Sequence, residues 1–209
     1  MTRRLTATLA ILTISACLMG CISKARFPAY YTLHVPPAVD VPIAGGIRSS
    51  LAVREFRSPA YLRQGAIVYR TSPEQVGFYQ YHRWAVDPRE FLTHAIIERL
   101  RATGRFAEVK AYDGHADVDF VLSGQLDKLE EVDYENGVRV EVALSAEITD
   151  TRAGKTVWSN SAAESGQLEK RTVPAVVAEM SSAIDRAMEK LLASITVPTT
   201  SSLNYSLQK

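Results

Sequence analysis

The chain has 209 residues, a formal net charge of +1 and two cysteines. The balanced charge argues against a nucleic-acid-binding protein, which needs a basic surface for the phosphates. No Cys/His spacing suits a structural zinc ion, and we predict neither a metal site nor a cofactor. The length fits one domain with a sizeable core.

The N-terminus has the pattern of an export signal. An apolar run over residues 5–19 follows two arginines and precedes a small residue and Cys21. This pattern is typical of a secretory signal peptide. The run has about 15 residues, whereas a membrane-spanning helix needs roughly 20. The segment Leu18-Met19-Gly20-Cys21 resembles a bacterial lipobox. It implies cleavage before Cys21, a thioether lipid on its sulfur and a fatty acyl group such as palmitate on its new amino group.

The predicted organisation follows from this signal. We expect a cleaved signal peptide over 1–20, a lipidated tether over 21–29, one domain over 30–196 and a disordered tail over 197–209. The alternative is an ordinary signal peptide that leaves Cys21 as a free thiol. In either case Cys21 is the only cysteine after cleavage, so no disulfide can form within one mature chain.

The N-terminal half predicts four strands and a helix. β-Rich or alternating segments predict the strands at 30–35, 50–56, 66–70 and 77–84. Between the second and third, residues 58–62 predict a turn. The helix begins at Pro88, with Asp87 as its N-cap. It ends at Gly104, which suits the left-handed conformation of a helix C-terminus.

The C-terminal half predicts four more strands and a second helix. The strands fall at 106–112, 118–131, 138–148 and 156–166, and the helix at 174–195. Gly124 predicts a bend or bulge in its strand. Asn136-Gly137 predicts a tight hairpin turn between the second and third of these strands.

The order of elements predicts an α+β fold. We expect a mostly antiparallel mixed sheet with the two main helices packed on one face, which makes a two-layer sandwich. The other face carries Arg139, Glu141, Ser145 and Glu147 and should be solvated or bind a partner.

Aromatic residues concentrate in the N-terminal strands. Those considered as contacts for a partner or for lipid are Tyr61, Tyr69, Tyr79, Tyr81 and Trp84. The alternative is that they form sheet core and cross-strand pairs, which is the commoner use of such residues.

Catalytic patterns are weak, and we predict no enzyme. The group His115, Asp117 and Asp119 suggests a hydrolase only superficially, because a solvated turn explains it. The acidic run at 130–135 is typical of a wet surface, with docking of a basic partner as the alternative. The histidine spacings match no ligand pattern.

The order of short motifs resembles the ABC-type transport auxiliary lipoprotein family, the PqiC-like lipoproteins. The resemblance covers roughly residues 30–195. The motifs are Tyr30-Tyr31-Thr32-Leu33, Val53-Arg54-Glu55-Phe56, Pro59-Ala60-Tyr61-Leu62, Ile67-Val68-Tyr69-Arg70 and Tyr81-His82-Arg83-Trp84. Here Asp87-Pro88 follows Trp84 a little later than is typical of that family.

The resemblance implies a non-enzymatic role in lipid transport and membrane integrity. The partners it implies are an MCE-domain protein and, through it, an ABC permease/ATPase pair. Ile22 after Cys21 is similar to the lipoproteins sorted to the outer membrane of Gram-negative bacteria, at its periplasmic face. A homo-oligomer is compatible with ring-shaped partners. The alternative functions are a stand-alone lipid-binding carrier or envelope assembly factor, and a periplasmic hydrolase.

Overall fold

A computed structural model describes residues 26–38, 47–115, 117–134 and 137–197. The predicted signal peptide, Cys21 and nearly all of the predicted tail lie outside the described residues. The strands, in chain order, are β1 (Ala29–Tyr31), β2 (Ile47–Val53), β3 (Ala66–Arg70), β4 (Val76–Trp84), β5 (Phe106–Ala111), β6 (Phe120–Asp133), β7 (Val138–Asp150) and β8 (Lys155–Gln167). The helices are α1 (Pro88–Ala102) and α2 (Val173–Ala193), and a short 3-10 helix spans Ala60–Gln64.

The predicted α+β sandwich is confirmed. The eight described strands form one mixed sheet, and the longest ladders are the antiparallel pairs β6–β7 and β7–β8. The other edge of β6 pairs in parallel with β2 at one end and with β3 at the other. Further out, β2 pairs with β5, and β3 pairs with β4, which carries β1 at its edge. The N-terminal half is therefore not a simple meander, because most of its strand pairs are parallel.

Both helices contribute to one core. The buried face of α2 packs on β7 and β8, and that of α1 packs on β5. Ile96 of α1 and Ile184 of α2 belong to the same apolar cluster as Leu144 of β7, and all three are completely buried. An ion pair between Arg99 and Asp185 joins the two helices.

The predicted helix signals of α1 are confirmed. The carboxylate of Asp87 accepts a hydrogen bond from the backbone N–H of Arg89 at 2.9 Å, and Pro88 is the first helical residue. After the helix, Gly104 has a φ of 58°, in the left-handed region.

A bulge predicted at Gly124 does not fall there. The irregularity in β6 falls between Leu126 and Lys128, not at the glycine. Gly124 instead lies under the ring of Phe56, where an added Cβ would stand 2.2 Å from the ring's Cζ atom. Glycine is favoured at this position because the ring occupies the space that a side chain would fill.

Candidate interaction site

A row of rings runs along β4 at the β1 edge of the sheet. This aromatic row consists of Tyr69, Tyr79, His82 and Tyr31. The centroids of Tyr69 and Tyr79 lie 5.1 Å apart, those of Tyr79 and His82 5.7 Å, and those of His82 and Tyr31 5.6 Å. The Tyr31 hydroxyl and Nδ1 of His82 share a hydrogen bond of 2.9 Å. All four side chains are half-buried, so they combine packing with an accessible surface.

Gly77 of β4 makes room for this row. An added Cβ at this position would stand 2.3 Å from the Cζ atom of Tyr69. The Tyr69 ring therefore lies flat over the glycine, where it can reach Tyr79.

The structure separates the five predicted contact residues. Tyr69 and Tyr79 belong to the aromatic row, and Tyr81 beside it is 36% exposed. Tyr61 lies half-buried in the 3-10 helix, where its hydroxyl approaches the backbone carbonyl of Asp127 at 3.4 Å. Trp84 is buried in the core, so it supports the edge from beneath rather than offering a surface.

Sequence reasoning missed two buried carboxylates at the end of β6. The wet surface expected over residues 130–135 is wrong for Glu130 and Glu131, which are 1% and 0% exposed. Burial of a charge is costly unless it is paired. Both residues are therefore paired, and they point to opposite faces of the sheet. No local signal distinguishes them from solvated glutamates, because their partners come from other strands.

Glu130 is held by Arg70 of the neighbouring strand β3. The arginine Nε donates to the carboxylate at 2.7 Å, and its guanidinium lies 5.6 Å from the ring centre of Tyr61. Burial and the charge of Glu130 raise the pKa of Tyr61. The second carboxylate oxygen of Glu130 is buried and has no hydrogen-bond partner among the described residues.

Glu131 is bound to the aromatic row. The hydroxyl of Tyr79 donates to this carboxylate at 2.6 Å, and Nε of Arg171 lies 3.6 Å from its other oxygen. Arg171 also forms an ion pair with Asp133. Burial, followed by the hydrogen bond and charge of Glu131, raises the pKa of Tyr79 well above its ordinary value. Tyr79 is thus held in place by its hydrogen bond to Glu131.

The Asp/His group considered for hydrolysis lies between β5 and β6. The carboxylate of Asp119 accepts from the backbone N–H of Ser50 at 2.9 Å and from its hydroxyl at 3.1 Å. These bonds, the backbone bond first, lower the pKa of Asp119. The backbone N–H of His115 donates to Asp113. No cluster of potential metal ligands occurs within the described ranges.

The face of the sheet that neither described helix covers forms a polar groove of 740 Å³. Arg54 and Arg57 lie on one side and Glu147 on the other, and the Arg54 guanidinium stacks 4.0 Å from the centre of the Tyr112 ring. Further along this face, Glu141 is paired with Lys128 at 3.0 Å and with Arg139 at 2.9 Å. This face can bind a partner through charged and hydroxyl groups.

An apolar groove of 550 Å³ lies between the ends of the two helices. Its lining includes the apolar residues Pro36, Leu100 and Leu192 and the basic residues Arg99 and Arg105. Among the described residues, no helix has the length and apolarity needed to cross a bilayer.

The fold and these surfaces define an α+β sandwich domain that offers grooves and an aromatic edge for binding. The model of the ABC-type transport auxiliary lipoprotein component family matches residues 31–191. The chain therefore belongs to this family, as its motif order predicted. No curated protein sequence is significantly similar to it.

Solved structures share the fold at low sequence identity. Protein XCC0632 from Xanthomonas campestris, of family DUF330, matches with a TM-score of 0.66 and 17% identity, over 78% of this chain and 92% of that one. An uncharacterized protein matches with a TM-score of 0.63 and 16% identity, over 81% of this chain and 99% of that one. A PelC dodecamer from Paraburkholderia phytofirmans reaches only 0.47, with 18% identity over 79% and 99% of the two chains.

Proposed function

We propose that this transport auxiliary lipoprotein is a docking subunit, anchored by Cys21 at the periplasmic face of the outer membrane. Its partner would be an MCE-domain protein, which connects it to an ABC permease/ATPase that moves lipid or another apolar molecule. The observation that carries the proposal is the family match over residues 31–191, preceded by a lipobox that ends at Cys21. Two or more acyl chains give stable anchoring without a spanning segment.

Features of the domain support docking rather than catalysis. The aromatic row and the polar groove provide two surfaces of different chemistry, one rich in Tyr rings and one charged. Tyrosine and arginine are both enriched in protein–protein interfaces. The buried glutamates fix Tyr79 and Arg70 in place, so the edge needs little reordering on binding.

The test of anchoring is the mass of the mature N-terminal peptide. We expect a lipidated peptide that begins at Cys21, whereas Cys21→Ser should leave the membrane fraction. A soluble wild-type protein with a free thiol would contradict the anchor.

The test of docking is affinity purification from detergent-solubilised membranes. We expect an MCE-domain protein to co-purify with the wild-type chain. Its absence, in a preparation that does retain lipidated Cys21, would contradict the docking role while leaving the anchor intact.

A stand-alone lipid carrier or assembly factor is the second candidate function. The apolar groove between the helices, with Leu100 and Leu192 in its wall, favours it. Phospholipid that co-purifies with the wild-type protein and is lost from Leu192→Asp would support the carrier. Lipid-free wild-type protein would exclude it.

A further inference from the structure

Among the residues that the structure describes, large apolar side chains are strongly exposed at four positions. They are Phe27 at 87%, Tyr30 at 63%, Val86 at 42% and Tyr81 at 36%. We call these four the apolar rim. Single exposed apolar residues scattered over a surface are normal. Exposed apolar residues that lie together in one region instead indicate an interaction surface.

Strand pairing brings the apolar rim together at one edge of the sheet. Edge strand β1 pairs in parallel with β4, with Ala29 opposite His82 and Tyr30 opposite Arg83. Tyr81 is therefore next to the start of β1. The backbone of Ala85 bonds to Tyr31 at 2.8 Å, which places Val86 just past the end of the same strand.

The apolar rim is also where the chain leaves the domain towards its anchor. Phe27 is six residues after Cys21, a distance of at most about 20 Å even in a fully extended chain. Lipidation of Cys21 would therefore hold the start of β1 close to the bilayer surface. Strand β8 is the edge strand beyond β6 and β7, whereas β1 and β5 end the two branches on the other side of β6.

The charge of this region suits an anionic lipid surface. Residues 21–39 contain two basic residues, Lys24 and Arg26, and no acidic one. In the 3-10 helix, Arg63 is exposed, and Arg83 of β4 is held by a 2.9 Å hydrogen bond to the backbone carbonyl of Gln64. Tyrosine rings with basic neighbours are the composition that membrane interfaces favour.

We infer that the apolar rim is a membrane-contact surface that seats the β1 edge on phospholipid headgroups and so fixes the orientation of the domain. This inference rests on the lipid anchor of the proposed function. It implies that the β8 edge of the sheet points away from the membrane.

The test uses the full mature lipoprotein in vesicles of phosphatidylethanolamine and phosphatidylglycerol. Tyr30→Trp and Phe27→Trp each place a fluorescent tryptophan in the apolar rim. The control, Ser161→Trp, places one at an exposed position of β8. Trp84 and Trp158 are buried and form the same background in every variant. Quenching by phospholipids brominated on their acyl chains then measures lipid contact.

We expect both rim reporters to be quenched at least about twofold more than the β8 reporter, because aromatic side chains settle at the interface. Equal quenching in protein that floats with the vesicles would overturn the inference and leave the anchor intact. A blue-shifted but unquenched rim reporter would also overturn it, since a second copy would then cover the rim. Protein that fails to float would refute the anchor and, with it, this inference.

Discussion

Two regions of the sheet bury different kinds of side chain. Under α2, strands β7 and β8 bury apolar side chains such as Leu144 and Ile148, both fully enclosed. Where β6 pairs with β3, the chain buries Glu130 and Glu131 of β6 and pairs them with Arg70, Tyr79 and Arg171. A purely apolar edge would cost less to bury. The contrast suggests that one end maintains the fold, whereas the other keeps polar and aromatic groups in place for binding.

Removal of one partner of the buried ion pair should have the largest effect. We expect Arg70→Met to lower the free energy of unfolding by about 4 kcal/mol, because Glu130 stays buried without its cation. Urea denaturation measures this. The double variant Arg70→Met/Glu130→Leu should recover most of the loss.

Two results would break this part of the comparison. One is that Arg70→Met lowers the free energy of unfolding no more than the control variant Arg152→Ala does. The ion pair of Arg152 with Asp119 is exposed and should contribute under about 0.5 kcal/mol to stability. The other is a double variant less stable than the single one.

A cavity in the apolar end should have the next largest effect. Leu144→Ala is expected to cost about 3 kcal/mol, because Leu144 is completely buried and its neighbours cannot fully close the space. Vesicle binding and partner capture by the folded variant should be unchanged. A folded Leu144→Ala variant that loses partner capture would show that function is not confined to the opposite end and to the surfaces.

A third prediction concerns the contact between Gly124 and Phe56 in the middle of the sheet. Gly124→Ala should cost about 2 kcal/mol, because the new Cβ collides with the Phe56 ring. In a double-mutant cycle, Phe56→Leu should reduce the cost of the alanine. If the two substitutions lowered the free energy of unfolding additively, the Phe56 ring would not be the cause of the cost of Gly124→Ala.

The smallest predicted effect depends on pH and concerns the start of α1, next to the end of β4. Burial alone would raise the pKa of Asp87, but hydrogen bonds and charge from Arg89 outweigh it and lower the pKa. The folded state then binds the proton more weakly than the unfolded state. This contribution to stability is present above the ordinary carboxyl pKa of about 4 and is lost as the pH falls through the lower folded pKa.

Asp87→Ala should therefore cost about 1 kcal/mol at neutral pH and less near pH 3. Asp87→Asn keeps an N-cap oxygen, so it should lose less stability than the alanine variant at neutral pH. Its loss of stability should also depend less on pH. Urea melts at both pH values measure these differences. If the stability lost on Asp87→Ala increased as the pH fell, the predicted direction of the pH dependence would be wrong.

Local sequence signals identified every strand and both main helices of this fold, but not all of their bounds or partners. The first strand was predicted at 30–35 and the second at 50–56, whereas β1 ends at Tyr31 and β2 at Val53. The strand at 66–70 and the capped helix that begins at Pro88 were predicted as they are found. The antiparallel ladder of β6 and β7 follows from a turn signal between adjacent strands. In contrast, the parallel pairs of β2 with β5 and β6 join strands that are distant in sequence. No short pattern encodes such pairs.

The candidate site was predictable only in part, for the same reason. The density of aromatic residues identified Tyr69 and Tyr79 as a group, and they do lie together. The burial of Glu131 depends on Tyr79 and Arg171, which reach it from other elements. A glutamate on an alternating strand therefore looks solvated until its cross-strand partners are known.

Crosslinking with mass spectrometry in intact envelopes tests the central claim, a membrane-anchored docking subunit, most directly. Crosslinks within this chain, for example from Lys128 and Lys190, serve as the internal control for the folded domain. The account predicts additional crosslinks to an MCE-domain protein. A complete set of internal crosslinks with no link to any transport component would contradict it.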